Sequence, residues 1–224
     1  MLPLVLNLED RKVVIFGGGS VGERKAELFS KHADTVVVSR EFTDAITALG
    51  EAGTVELIRD DLTEFDQYIE ESFIVIPATS DKDLNDKIAK RARDCGKLVD
   101  IVDGLGDVVV PSIISKGDIL ISISTLGKSP AMCKFIRRQM EDEITDAHAS
   151  MVRLQDEVRK ILKERIGDQK IREKILWDIL EDEEVWKGLL ESYDKTYSSI
   201  LKLIERGTLD RNNKHAGNSY KGER

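Results

Sequence analysis

Short β-branched apolar runs recur through the first half of the chain, separated by polar stretches of helical composition. The runs cover Lys12 to Phe16, Thr35 to Ser39, Val55 to Ile58, Phe73 to Ala78 and Leu98 to Val102. Between them, Val21 to Lys31, Thr43 to Ala52 and Leu84 to Cys95 read as helices. Strands alternating with helices predict parallel β-α-β units and hence an α/β, Rossmann-type doubly wound sheet. The runs are nearly continuous in apolar residues, as strands covered on both faces require. Near Pro111 the pattern changes. Residues 108 to 125, VVVPSIISKGDILISIST, read as two strands about a Lys116-Gly117-Asp118 turn. Beyond Pro130 the spacing is helical. Val158, Ile161 and Leu162 form an i, i+3, i+4 stripe, Gly167-Asp168 stops it, and helices are expected over Lys170 to Leu180 and Glu183 to Ile204. The EDEE run at 181 to 184 reads as a solvated loop and helix start, where acids suit the helix dipole. From Gly207 the tail has too few apolar residues to build a core and is expected to be disordered.

Composition narrows the class. The 224 residues suffice for one full domain and a smaller second one. A net charge of −8 supplies no field to gather phosphates, so no nucleic-acid partner is expected. No apolar run approaches the roughly 18 to 20 residues that span a bilayer, so no membrane association is expected. The opening MLPLVLNLEDRK lacks the basic region and small-residue cleavage site of a secretory signal, and the expected location is cytoplasmic. Cys95 and Cys133 are far apart, without C-x-x-C spacing, and are expected to be buried free thiols. No metal site is expected.

The candidate chemistry begins at KVVIFGGGSVGERKAELF, residues 12 to 29. Gly17, Gly19 and Gly22 fit G-x-G-x-x-G after a strand and at the start of a helix. The first glycine allows the sharp turn, the second admits a pyrophosphate to the backbone, and the third lets helix and strand pack closely. With Gly18, Ser20 and Val21 they form a candidate dinucleotide cradle at a helix N-terminus. A tight structural turn is the bland alternative. At the end of the second strand, Glu41 could hold the ribose hydroxyls of NAD, whereas Arg40 could accommodate the 2′-phosphate of NADP. Whether Arg24 and Lys25 touch phosphate or only solvent is left open.

Ligands of open parallel sheets sit outside the carboxyl ends of the strands. Asp103, after LVDIV, falls there and could act as a general base; as a simple turn residue it would open DGLG. Asp100 would point to the opposite strand face and is not paired with it. STLGKSP, residues 124 to 130, is a hydroxyl-rich loop leading to a helix with Pro130 in its first turn. Ser124, Thr125 and Lys128, with Lys134, Arg137 and Arg138 on that helix, could meet a polycarboxylate substrate, or could simply form a capped helix with a solvated basic face. His148, alone on its helix, reads as structural.

GGGSVGERKAELF, IPATSDKDLN, VDIVDGLGDVVVPSII and ISISTLGKSP, in this order and spacing, resemble the siroheme synthase N-terminal family. That family comprises precorrin-2 dehydrogenases, some of which are also sirohydrochlorin ferrochelatases. The resemblance covers residues 3 to 145 closely. It implies oxidation of precorrin-2, a tetrapyrrole with eight carboxylates, to sirohydrochlorin with NAD⁺ as cofactor, and Fe²⁺ insertion in some members. It implies a homodimer, with an NAD-binding domain over 1–110, a dimerisation region of hairpin and helix over 111–145, and a helical domain over 146–206. Its key aspartate corresponds to Asp103, its hydroxyl loop to Ser124 and Thr125 near the tetrapyrrole, and its AT pair to Ala78 and Thr79 beside the dinucleotide. This chain has Gly22 where the family commonly has Ala, Asp100 where it commonly has Asn, and Leu126 where the loop commonly has a glycine. A reading from a different class is a nucleotide-sensing regulatory module coupled to a helical partner-binding domain. That reading has no use for Asp103 or the hydroxyl loop.

Overall fold

The structure is a computed structural model and describes residues 1–205. The tail expected to be disordered, 207–224, lies outside the described residues. The chain divides into two compact units. One is Met1–Val110 with Leu126–Lys128; the other is Pro111–Thr125 with the chain from Ser129 onward.

The first unit runs β1 (Lys12–Phe16), α1 (Ser20–Phe29), β2 (Asp34–Ser39), α2 (Asp44–Glu51), β3 (Glu56–Arg59), α3 (Asp66–Glu70), β4 (Ile74–Pro77), α4 (Lys82–Asp94) and β5 (Leu98–Val99). The sheet order is β3-β2-β1-β4-β5, with every pairing parallel. Alternate residues of β1 serve opposite cores. Val14 and Phe16 pack with Ile69 of α3 and Ile88, Ala89 and Ala92 of α4. Val13 and Ile15 pack with Ala26 and Phe29 of α1 and Ile46 of α2. This two-residue period, filled on both sides by β-branched and aromatic residues, makes the fold a doubly wound parallel sheet.

Two expectations for this unit need correction. Helix α3 has no counterpart among the predicted elements, because five residues are too few to show a helical period. The fifth strand was expected to reach Val102 but ends at Val99. Beyond it the chain doubles back: the N–H groups of Asp107 and Val108 both donate to the Val99 carbonyl, at 2.8 and 3.1 Å. Gly106 permits that approach, since a Cβ there would lie 2.3 Å from the same oxygen. Asp103 therefore sits on a folded-back loop rather than at a strand tip.

The second unit opens with the antiparallel hairpin β6 (Ser112–Lys116) and β7 (Ile119–Ile123), joined by Gly117-Asp118 with Gly117 at φ +56°. Helices α5 (Pro130–Glu143), α6 (Asp146–Arg165), α7 (Gln169–Glu181), α8 (Glu183–Glu191) and α9 (Tyr193–Glu205) follow. The core of α6 to α9 is built on Met151, Leu154, Val158 and Leu162, which face Ile175, Ile179, Val185, Leu189 and Ile200. That spacing is one helical face. The single helix expected from Glu183 to Ile204 is two helices. Ser192 is extended at φ −164°, and its carbonyl accepts from Thr196 N–H at 3.2 Å, so the chain restarts there. Close apposition of Gly188 to Thr196, where a Cβ would lie 2.5 Å from the hydroxyl, accompanies the break. The EDEE loop shrinks to Asp182, which ends α7 and caps α8 by accepting from Glu184 N–H at 2.8 Å. Cys95, at the C-cap of α4, and Cys133, in the first turn of α5, are free but half-buried rather than buried.

His148 closes a capping box. The Thr145 N–H donates to His148 Nδ1 at 3.2 Å, and the ring lies 5.0 Å from that of Trp186. His148→Ala removes both contacts. We expect it to cost about 1–2 kcal/mol in urea unfolding while leaving turnover of the folded protein unchanged.

Candidate active site

The crevice of a doubly wound sheet lies where neighbouring strands lead away in opposite directions, here between β1 and β4. A cleft of about 740 Å³ opens at their carboxyl ends, within the range of small-molecule sites. Its walls bring together Gly17, Gly18, Gly19, Glu41, Ala78 and Thr79, all expected from sequence to meet the dinucleotide. Ser20, Val21 and Gly22 begin α1 beside them.

The glycines serve different ends. Gly17 has φ +121°, and a Cβ would fall 2.4 Å from the Ala78 carbonyl oxygen. Gly18 is held against the β2–α2 loop: a Cβ would lie 2.1 Å from Glu41 O, and the Gly18 carbonyl accepts from Thr43 N–H at 3.0 Å. Gly22 meets Gly17, with a Cβ 2.0 Å from its carbonyl, so the alanine common at this position would not fit here unshifted. Gly19 alone of the four has no atom within 4 Å of where its Cβ would be. Gly19 is also the N-cap of α1, and no side chain caps that helix. An open approach to uncapped N–H groups at the positive end of a helix fits a pyrophosphate.

The cleft holds acids that sequence reasoning did not single out. Asp60 accepts from Tyr68 Oη at 2.6 Å and from Leu62 N–H at 2.7 Å. The Thr63 backbone N–H, donating at 3.0 Å, holds the Asp61 carboxyl below the usual carboxylate range. Both line the cleft with Glu41 and Arg40. Nothing near β3 in the sequence distinguishes them from turn residues.

Asp103 stands apart from the glycines. It is exposed and borders a small hollow of about 80 Å³ with Pro77, Lys82 and Asn85. The loop carrying it is anchored by a pair that sequence reasoning left unconnected. Lys25 of α1 donates to Asp100 at 2.5 Å, with Asp100 buried and Lys25 largely so. Burial pushes the Asp100 carboxyl up, opposed by the charge and hydrogen bond of Lys25. The signal for this pair was a lone acid inside the apolar run LVDIV, since a charge in such a run needs a partner. Arg24, next along, is exposed.

The remaining candidates belong to other parts of the chain. Ser124 and Thr125 follow β7, and Arg137 and Arg138 lie exposed on α5, all in the second unit. Arg137 pairs with Glu141 at 2.8 Å. The Thr125 hydroxyl accepts from Ser129 N–H at 3.0 Å, and Ser129 caps α5 by accepting from Met132 N–H at 3.3 Å. Lys128 is exposed on the loop between β7 and α5. Leu126 adopts φ +52°, the left-handed conformation that glycine takes at low cost, so the substitution leaves the turn in place.

Sheet order, glycine cradle and crevice define an α/β protein of the dinucleotide-binding class. The family described as "Putative NAD(P)-binding" matches residues 4–112. A precorrin-2 dehydrogenase of Methanosarcina barkeri is 50% identical over 208 residues, 91% of this chain and 93% of that protein. A siroheme synthase of Psychrobacter arcticus is 34% identical over 167 residues, 73% of this chain but 30% of that longer protein. The solved structure of SirC, a precorrin-2 dehydrogenase, superposes with a TM-score of 0.72 over 92% of this chain and all of its own, at 22% identity. The chain belongs to the precorrin-2 dehydrogenase family.

Proposed function

We propose that the chain oxidises precorrin-2 to sirohydrochlorin with NAD⁺, in siroheme synthesis. The observation that carries this reading is the 50% identity to a precorrin-2 dehydrogenase, which spans both units. The cradle supports the cofactor half. The dinucleotide supplies the hydride acceptor. Gly17 to Gly19 and the N-terminus of α1 bind its pyrophosphate, and Glu41 takes the ribose hydroxyls. The dehydrogenation releases a proton as well as a hydride, and Asp103 accepts that proton. Ser124, Thr125, Lys128, Arg137 and Arg138 meet the carboxylates of the tetrapyrrole.

Glu41, Asp60 and Asp61 line the cleft with Arg40, three carboxylates to one guanidinium, a balance that disfavours a 2′-phosphate. Mixing the protein with precorrin-2 and either cofactor, and following nicotinamide absorbance with the pigment spectrum, tests both points. We expect sirohydrochlorin and NADH together, with NADP⁺ at least about tenfold poorer in kcat/KM. Absence of NADH from well-folded protein would remove the reading and favour a nucleotide-sensing module. Fe²⁺ insertion, which the resemblance attaches to some members, is read by metallation of sirohydrochlorin with and without protein. A rate equal to the spontaneous one would leave a dehydrogenase only.

We further propose that the enzyme is a homodimer and works in the cytoplasm. Among the described residues no helix is long and apolar enough to cross a membrane. The 14-residue helix α5 has no buried residue, and Met132 and Phe135 on it are 48% and 56% exposed. A helix without a buried face is stabilised by little except a partner. Light scattering is expected to give twice the chain mass for wild type. Phe135→Asp is expected to shift it to the monomer, and a wild-type monomer would contradict the proposal.

A further inference from the structure

We infer that Asn85 is a positioning residue, which fastens the β4 corner and thereby sets the Ala78–Thr79 wall of the dinucleotide cleft. The inference rests on the dehydrogenase reading above. Asn85 lies in the first turns of α4, a place where an asparagine is ordinarily solvated. Here its amide makes three hydrogen bonds to one residue. Oδ1 accepts from the Thr79 N–H at 3.0 Å and from the Thr79 hydroxyl at 2.7 Å, while Nδ2 donates to the Thr79 carbonyl at 2.9 Å. The amide orientation follows from the chemistry. A backbone N–H can only donate and a carbonyl can only accept, so Oδ1 must face the first and Nδ2 the second.

Two consequences connect this latch to the reaction. Thr79 has its N–H, its carbonyl and its hydroxyl engaged within the protein. The hydroxyl also accepts from Asp81 N–H at 3.2 Å. Thr79, expected beside the dinucleotide, therefore contributes shape to the cleft wall rather than a free polar ligand. The wall is also tight. A Cβ on Gly17 would fall 2.4 Å from Ala78 O and 2.9 Å from Thr79 N, so a displaced Thr79 corner moves against the first cradle glycine. Asn85 also borders the hollow that Asp103 borders. One side chain thus touches the cofactor wall on one side and the hollow of the proton acceptor on the other.

The test uses the whole 224-residue chain and the variants Asn85→Ala and Asn85→Asp. Alanine loses all three bonds. Aspartate keeps both acceptors, loses the donor to the Thr79 carbonyl and sets a carboxylate oxygen against it. We expect Asn85→Ala to weaken calorimetric NAD⁺ binding about tenfold and to raise the KM for NAD⁺ similarly, with the KM for precorrin-2 within about twofold of wild type. Asn85→Asp is expected to weaken NAD⁺ binding as well, since the Thr79 carbonyl then faces an oxygen in place of a donor. A residue that only held the fold would lower the melting temperature and leave the affinity of the folded fraction unchanged. Wild-type NAD⁺ affinity in either folded variant would overturn the inference, and Asn85→Asp supplies the answer if Asn85→Ala does not fold. If wild-type protein binds NAD⁺ but fails to oxidise precorrin-2, the dehydrogenase reading falls, while the variants' NAD⁺ affinities still decide the role of Asn85.

Discussion

Asp103→Asn is expected to lower kcat for precorrin-2 oxidation by about 10²- to 10⁴-fold, the usual contribution of a positioned general base. The amide is isosteric, keeps the turn propensity and removes only the ability to accept a proton at neutral pH. The loop should hold its shape. It is anchored at Val99 by the N–H groups of Asp107 and Val108, and at Asp100 by Lys25, none of which involves the Asp103 side chain. NAD⁺ affinity should not change, because Asp103 does not line the glycine cleft. The expected signature is therefore a fall in kcat with an unchanged calorimetric Kd for NAD⁺. A kcat close to wild type would remove Asp103 from the reaction even if the protein is a dehydrogenase.

Lys25→Met carries the largest expected effect on stability, about 3–5 kcal/mol, because it strands a buried carboxylate without its partner. Asp100 is 3% exposed, so water cannot replace the lost ammonium without local opening. The cost depends on pH in a definite direction. Burial already places the Asp100 carboxyl above its ordinary range, and Lys25 provides the opposing influences. Without Lys25 the folded-state value rises further, so the folded variant retains a proton that the unfolded chain releases. Stability is then fully kept below the unfolded-state value and lost as pH rises through the folded-state value. Urea unfolding of Lys25→Met should show a smaller deficit near pH 5 than near pH 8. Lys25→Met combined with Asp100→Asn should recover part of the loss, since the neutral amide removes the stranded charge. A deficit independent of pH would show that Lys25 acts through packing alone.

The parts of the site legible in the sequence are those built from neighbours in the chain. Gly17, Gly19 and Gly22 could be assigned jobs because strand, turn and helix follow within 18 residues, and the turn demands unusual backbone geometry. Gly18 lies in the same glycine run, yet its reason is the close approach of Glu41 O from the β2–α2 loop. Strand alternation predicts Asp100 on the face away from Asp103. The structure keeps that alternation: the Asp100 N–H donates to the Val75 carbonyl at 3.0 Å and its carboxylate meets Lys25 of α1, whereas Asp103 borders the hollow beside α4. What strand period could not name is the partner, Lys25, 75 residues away. The Asn85 latch is shorter in sequence, six residues from Thr79, but nothing in TSDKDLN marks one asparagine as an acceptor for a strand-end residue.

Apolar period and turn chemistry are local properties, and from them the chain determined its parallel sheet, its hairpin and most of its helices, together with the glycine cradle. Where β5 stops, where α8 gives way to α9, and which charges and amides find partners were decided by tertiary packing. A buried carboxylate or a strand-end N–H is satisfied by whatever donor or acceptor the folded chain brings within about 3 Å, and that proximity has no signature along the sequence.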